Sequence, residues 1–184
     1  MTESMDPKRA EFEAQVLPHL DAAYRYARWL ARSPSDADDL VQEATLRAFR
    51  GFDDLRGADA KAWLLIIIRN CHLTALRKRR RQNLVPLPQE DDQTHDPLIC
   101  SSAAPEELAI RRDDQRVLQR LLAALPEDHR EILVLREIED LDYREIATVT
   151  SLPIGTVMSR LARARAALRK QWRLEIEGET RAMR

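Results

Sequence analysis

The chain has 184 residues, 30 Lys and Arg against 31 Asp and Glu for a formal net charge of −1, and only four Gly. That length allows one large or two small domains, each able to bury a usable core, and the abundance of Ala, Leu, Arg and Glu without strand signals excludes a β protein and reads as all-α. Two cysteines, Cys71 and Cys100, exclude a disulfide framework, and the longest apolar run, Trp63 to Ile68, is too short to cross a bilayer.

Without an apolar signal core at the N-terminus, the expectation is a soluble, cytoplasmic protein with no direct membrane insertion. The small net charge hides segregation: basic runs at 77–81 and 160–173 are offset by acids elsewhere, so local charge governs what the chain attracts.

In chain order, Phe12, Val16, Leu20, Tyr24, Ala27 and Ala31 recur at helical spacing. They predict a long amphipathic helix over about 7–32, with Pro18 either kinking it or marking its true start. Ser-Pro-Ser at 33–35 breaks it, and Ser35 with Asp38 predicts the N-terminus of the next helix. That helix buries Leu40, Val41, Ala44 and Ala48 and gathers Asp38, Asp39, Gln42 and Glu43 near its N-terminal half. Acids there suit the helix dipole, or form a docking surface for a basic partner.

A polar loop follows, and Asp59 is placed to cap a helix that starts apolar nearly all round and ends in five consecutive cations, Arg77, Lys78, Arg79, Arg80 and Arg81. One or two would suffice for the dipole, so five imply a polyanion and salt-sensitive binding. From Gln82 to Ile110 Lys and Arg vanish while Pro and acids accumulate, the composition of a linker. The expected division is a domain at 1–82, an acidic flexible linker at 83–105 and a second domain at 106–184.

In the second half, helices are predicted over 106–124 and about 127–138. The stretch Asp142 to Lys170 reads as a helix-turn-helix: Asp142 and Glu145 form a capping box, and Leu152, Pro153 and Gly155 make the corner. A second helix then carries an apolar stripe at Val157, Leu161, Ala164, Leu168 and Trp172, with Arg160, Arg163, Arg165, Arg169, Lys170 and Arg173 largely outside it. No acid occurs from Ile146 to Leu174, so the cationic face is not neutralised within its own helix. A capped helix, a tight corner and a basic second helix match the docking logic of a major-groove reader.

The four histidines are scattered, and adjacent Cys71 and His72 diverge by about 100° on a helix, so no metal or other cofactor is expected. A nucleophile with its base, a Gly-rich phosphate loop and a metal cluster are all lacking, so no catalytic residues are expected and the chain does not read as an enzyme.

Three segments, 36–49 (DADDLVQEATLRAF), 62–81 (AWLLIIIRNCHLTALRKRRR) and 125–168 (LPEDHREILVLREIEDLDYREIATVTSLPIGTVMSRLARARAAL), resemble in this order the extracytoplasmic-function sigma factors of the sigma-70 family. The resemblance spans Leu17 to Gln171. It implies that the helix with Asp38, Asp39, Gln42 and Glu43 docks on the beta-prime clamp helices of RNA polymerase core, with the C-terminal domain near the beta flap. Phe52 to Lys61 and the helix through Asn70 would open promoter DNA at the minus-10 element, with Arg69, Asn70, Thr74 and Arg77 to Arg81 as DNA contacts. Thr156, Met158, Ser159, Arg160, Arg163 and Arg165 would meet the minus-35 element, with Met158 standing where many relatives carry Lys or Arg. The resemblance also implies an anti-sigma factor as partner. The function expected is promoter-specific transcription initiation, in the setting of a stress response; the alternative is a helix-turn-helix regulator whose N-terminal helices serve dimerisation or sensing.

Overall fold

The computed structural model of the chain describes residues 7–31, 33–82 and 117–182, with side chains as far as residue 176. Among these the regular structure is helical. Helix α1 (Pro7–Val16) ends in a 3-10 turn at Leu17–His19, and α2 (Leu20–Leu30) restarts behind it. Pro18 is the cause: it has no N–H to donate and its ring excludes the carbonyl four residues back, so the single helix expected over 7–32 is two helices.

Helix α3 (Pro34–Arg50) is capped by Ser33, whose hydroxyl accepts the Asp36 N–H at 3.1 Å, and not by Ser35 as the sequence suggested. Pro34 at the first helical position needs no N–H, which fixes the cap one residue before it. A 3-10 turn at Phe52–Asp54 leads to Gly57 at φ 74°, a left-handed position suited to glycine. Asp59 then caps α4 (Ala60–Gln82), its carboxylate accepting the Ala62 N–H at 2.7 Å, as expected.

The first half of α4 is core. Ala62, Leu64, Leu65, Ile68 and Cys71 are buried, whereas the residues from Arg77 to Arg81 are exposed. Phe12 meets Phe49 and Phe52 edge-on at ring separations of 5.2 and 5.4 Å, tying α1 to the end of α3.

The C-terminal half contains α5 (described over 117–123), α6 (Glu127–Leu133) running into a π-helical turn at Val134–Ile138, α7 (Tyr143–Thr150) and α8 (Ile154–Ala182). Leu121, Leu122, Leu125, Ile132, Leu135, Ile146, Val149, Val157 and Leu161 are buried. The expected stripe on α8 stops short: Val157, Leu161 and Ala164 are buried and Leu168 partly so, but Trp172 is 41% exposed. The helix outruns the core it packs on.

The two halves share one continuous apolar cluster, from Phe12 to Ala164, with α7 against α4 and α2 against α6 and the π turn. Each buried Leu or Ile stabilises by about 1.5–3 kcal/mol, against about 0–1 for an exposed ion pair, so this shared apolar contact carries most of the association. The expected linker at 83–105 and the first residues of the helix predicted from Glu106 lie outside the described residues. No described helix is long and apolar enough to cross a membrane, and no group of three or more His, Cys, Asp or Glu is placed to hold a metal ion among the described residues.

Candidate nucleic-acid interface

Helix α7 opens with the expected capping box. The Asp142 carboxylate accepts the N–H groups of Arg144 and Glu145 at 2.7 and 2.8 Å, and the Glu145 carboxylate accepts the Asp142 N–H at 2.6 Å. The N–H of Glu145, then that of Arg144, holds the Asp142 carboxyl below its ordinary value, so the cap is ionised near neutral pH and lost as the medium turns strongly acidic.

The corner differs from the one expected. The left-handed residue is Ser151 at φ 56°, not Gly155. The Leu152 N–H reaches the Ala147 carbonyl at 3.0 Å and the Ser151 N–H reaches that of Thr148 at 3.3 Å, a Schellman close that satisfies the last carbonyls of α7 and turns the chain sharply. Pro153 stands just before α8, its carbonyl accepting the N–H groups of Thr156 and Val157, and Gly155 lies in the first turn of the helix with open space where a Cβ would stand. Gly155→Ala is therefore expected to stabilise the free protein by about 0.4–1 kcal/mol in a denaturant titration. Weaker binding to a minus-35 duplex in the same variant would show that DNA backbone approaches Gly155 closely.

At about 100° per residue, Thr156, Ser159 and Arg163 share a strip about 60° wide on the side of α8 turned away from Val157, Leu161 and Ala164. The Ser159 hydroxyl donates to the Thr156 carbonyl at 3.1 Å, and the Arg163 guanidinium folds back on the Ser159 carbonyl at 3.3 Å. Arg160 stands beside this strip and pairs with Asp128 at 3.0 Å. Arg165 pairs with Glu137 at 2.6 Å, on a flank about 100° or more from Ser159 that it shares with Met158, itself 52% exposed. The absence of acids within the helix thus did not leave every cation unpaired, because α6 and the π turn supply carboxylates from outside.

On α4, Asn70, Thr74, Arg77 and Arg81 form another strip about 60° wide, all four exposed. The Thr74 hydroxyl donates to the Asn70 backbone carbonyl at 2.7 Å, and the exposed Asn70 side-chain amide is free of that bond. Arg79 pairs with Asp36 at 2.6 Å, while Arg77, Lys78, Arg80 and Arg81 meet no acid among the described residues. Arg69 points elsewhere: its guanidinium holds Glu131 of α6 at 2.8 Å.

The acids on α3 stand together as expected, with Asp38, Asp39, Gln42 and Glu43 all at the surface. Leu46, 49% exposed, continues the row of Asp39, Gln42 and Glu43 by helical spacing. The sequence reading missed it, although its position seven residues after Asp39 was visible.

Two residues were missed with no sequence signal at all. Glu139 is 0% exposed, and Arg25 donates to its two carboxylate oxygens at 3.0 Å each. Lys61 approaches the same carboxylate at 3.4 Å and donates to the Glu139 carbonyl. Glu131 accepts from both the Tyr26 hydroxyl and Arg69 at 2.8 Å. Burial and the neighbouring Glu131 push the Tyr26 hydroxyl well up, so it keeps its proton and donates. His72, with Glu127 at 3.7 Å, is pushed down by burial and stays neutral at pH 7. Asp140 at φ 52° and the Glu139 N–H bonded to Val134, five residues back, give the π turn its register; a regular helix would aim Glu139 elsewhere.

The fold defines a helical protein in two parts with cationic surfaces on both. Residues 16–82 match the family described as Sigma-70 region 2, and residues 115–168 the one described as Sigma-70, region 4. The chain is 36% identical over 139 residues to the RNA polymerase sigma-H factor of Pseudomonas aeruginosa, covering 73% of this chain and 72% of that one. It is 34% identical over 137 residues to the ECF RNA polymerase sigma-E factor of Escherichia coli, covering 72% of each. Against the ECF sigma factor SigE of Mycolicibacterium smegmatis the identity is 34% over 84% of this chain, which spans 58% of that relative's length. Among solved structures, the sigma factor RpoE of Bartonella quintana, in complex with the anti-sigma factor NepR, superposes with a TM-score of 0.71 at 27% identity, over 89% of this chain and 97% of that one. The chain belongs to the extracytoplasmic-function sigma factors, the transcription-initiation subunits of RNA polymerase in the sigma-70 family. A stand-alone helix-turn-helix regulator, the alternative, is not favoured by these relatives.

Proposed function

We propose that this chain binds RNA polymerase core and directs it to promoters by reading two DNA elements, one with each half, and that it catalyses no reaction itself. The observation that carries the reading is the pair of polar surface strips on one chain, Asn70–Thr74–Arg77–Arg81 on α4 and Thr156–Ser159–Arg163 on α8. The first would face the minus-10 element, where the Asn70 amide can both donate to and accept from a base edge while Arg77 to Arg81 hold phosphates. The second would enter the major groove at the minus-35 element.

Asp38, Asp39, Gln42 and Glu43, joined by Leu46, are the surface proposed for the beta-prime clamp helices, with the C-terminal half toward the beta flap. An anti-sigma factor is proposed as the negative partner, since RpoE bears NepR in an arrangement of both halves that this chain shares. The cytoplasm, where polymerase works, is the proposed location.

The test is transcription in vitro: purified chain with core polymerase should yield promoter-dependent transcripts from genomic templates, and none would sink the reading. Within it, Arg163→Ala is expected to cost about 1–3 kcal/mol of discrimination at one minus-35 position if the guanidinium contacts a base. Affinity reduced equally on every sequence would assign Arg163 to phosphate.

A further inference from the structure

We infer that Arg169, Lys170 and Arg173, on the stretch of α8 that outruns the core, form a further DNA-binding site, one that takes backbone phosphates beside the minus-35 groove and reads no bases; this rests on the sigma-factor reading. All three are exposed, and none meets an acid among the described residues. They lie past residue 168, where the match to region 4 ends.

Helix-dipole compensation does not account for these cations. Helix α8 continues to Ala182, so even Arg173 stands more than two turns before its end, whereas the dipole acts within the last turn. Pairing within the helix does not account for them either. No acid occurs from Ile146 to Leu174, and Glu175 lies about 160° around the helix from Arg173, where Arg120 of α5 holds it at 2.9 Å. Arg165, Arg169 and Arg173 instead follow one another at a spacing of four residues, an array of like charge that destabilises a helix. Glu137 relieves the repulsion at Arg165, at 2.6 Å, and no described side chain relieves it at Arg169 and Arg173. An anion from outside the chain would.

Their direction says which anion. At about 100° per residue, Lys170 and Arg173 lie about 30° to either side of the direction opposite Val157, Leu161 and Ala164, and Arg169 about 70° from it. Ser159 and Arg163 point within about 50° of the same direction, so the three cations continue the face that the proposed reading strip presents. Along the axis they stand about 9–15 Å beyond Arg163, at about 1.5 Å per residue. The major groove is about 12 Å wide, so with the first turns of α8 over base edges these residues have passed its wall, where the sugar-phosphate strand runs. Arg and Lys there make charge-assisted hydrogen bonds to phosphate oxygens. Phosphate is the same at every base pair, so the site adds affinity and fixes how α8 lies without choosing a sequence.

The test uses the full chain with core polymerase on a promoter fragment recovered from the transcription assay, and on the same fragment with its minus-35 element scrambled. Wild type is compared with Arg169→Gln/Lys170→Gln/Arg173→Gln and with Arg169→Lys/Arg173→Lys, which keeps the charge. Three lost phosphate contacts flatten the slope of log affinity against log salt by about 2.7, so between about 50 and 200 mM salt wild type should lose about 40-fold more affinity than the glutamine variant. At low salt that variant should bind both fragments more weakly by the same factor, while the lysine variant keeps the wild-type slope. An unchanged slope overturns the site and leaves the cations to an acidic protein partner; a loss confined to the intact minus-35 element overturns it in favour of base contacts. Should the triple variant lose its helical circular dichroism, Arg169→Gln and Arg173→Gln decide singly, each flattening the slope by about 0.9 if the site exists. Wild-type protein that selects no promoter at all would instead remove the sigma reading.

Discussion

Leu161→Ala is expected to cost the C-terminal half about 2–5 kcal/mol, a large share of a stability of about 5–15, because the side chain is 1% exposed between α8 and the helices beneath it. The residue touches no base in the proposed arrangement. Its truncation should abolish minus-35 binding near the growth temperature and restore it on cooling toward maximum stability, in step with the folded fraction measured by denaturant titration. Arg163→Ala makes the converse pair: stability within about 0.5 kcal/mol of wild type, since its contacts are exposed and local, with discrimination weakened at every temperature. If Leu161→Ala failed to bind DNA while remaining fully folded, the buried face assigned to α8 would be wrong.

The second large effect is expected at α3. Asp39→Lys with Glu43→Lys places two cations on the surface row proposed to meet a basic surface of polymerase, and like charges brought together across an interface cost several kcal/mol, about tenfold for each 1.4. Retention of core polymerase in a pull-down should fall by two orders of magnitude or more. Folding should hardly change, because the ion pair these substitutions break is the exposed Glu43–Arg47 pair, four residues apart and worth about 0.3–0.5 kcal/mol. Unchanged retention would leave these acids as dipole compensation only.

Much of the molecule was legible in its residues because the signals were local. The Asp142–Glu145 capping box, the Asp59 cap, the apolar start of α4 and the buried stripe Val157–Leu161–Ala164 all follow from spacings of three or four residues on one helix. Where local rules competed, the reading slipped by a few residues. Pro34 at the first helical position moved the cap of α3 to Ser33, and a Schellman close put the left-handed turn at Ser151, leaving Gly155 in an ordinary helical turn. Trp172 keeps the period of the stripe, yet the core ends before it.

The sequence by itself determined the helical class, the order of the elements, the two cationic strips and the acidic face of α3, since each depends on neighbours within a turn or two of the same helix. Only the tertiary structure decided which cations are spoken for, because pairing depends on distance in space. Arg160, Arg165 and Arg69 meet carboxylates 32, 28 and 62 residues away in the chain, while Arg163 and Arg77 meet none among the described residues. It likewise decided that the halves dock on one another. That docking hangs on a π turn five residues long and on a glutamate whose burial no periodicity encodes, since its partners Arg25 and Lys61 lie 114 and 78 residues before it.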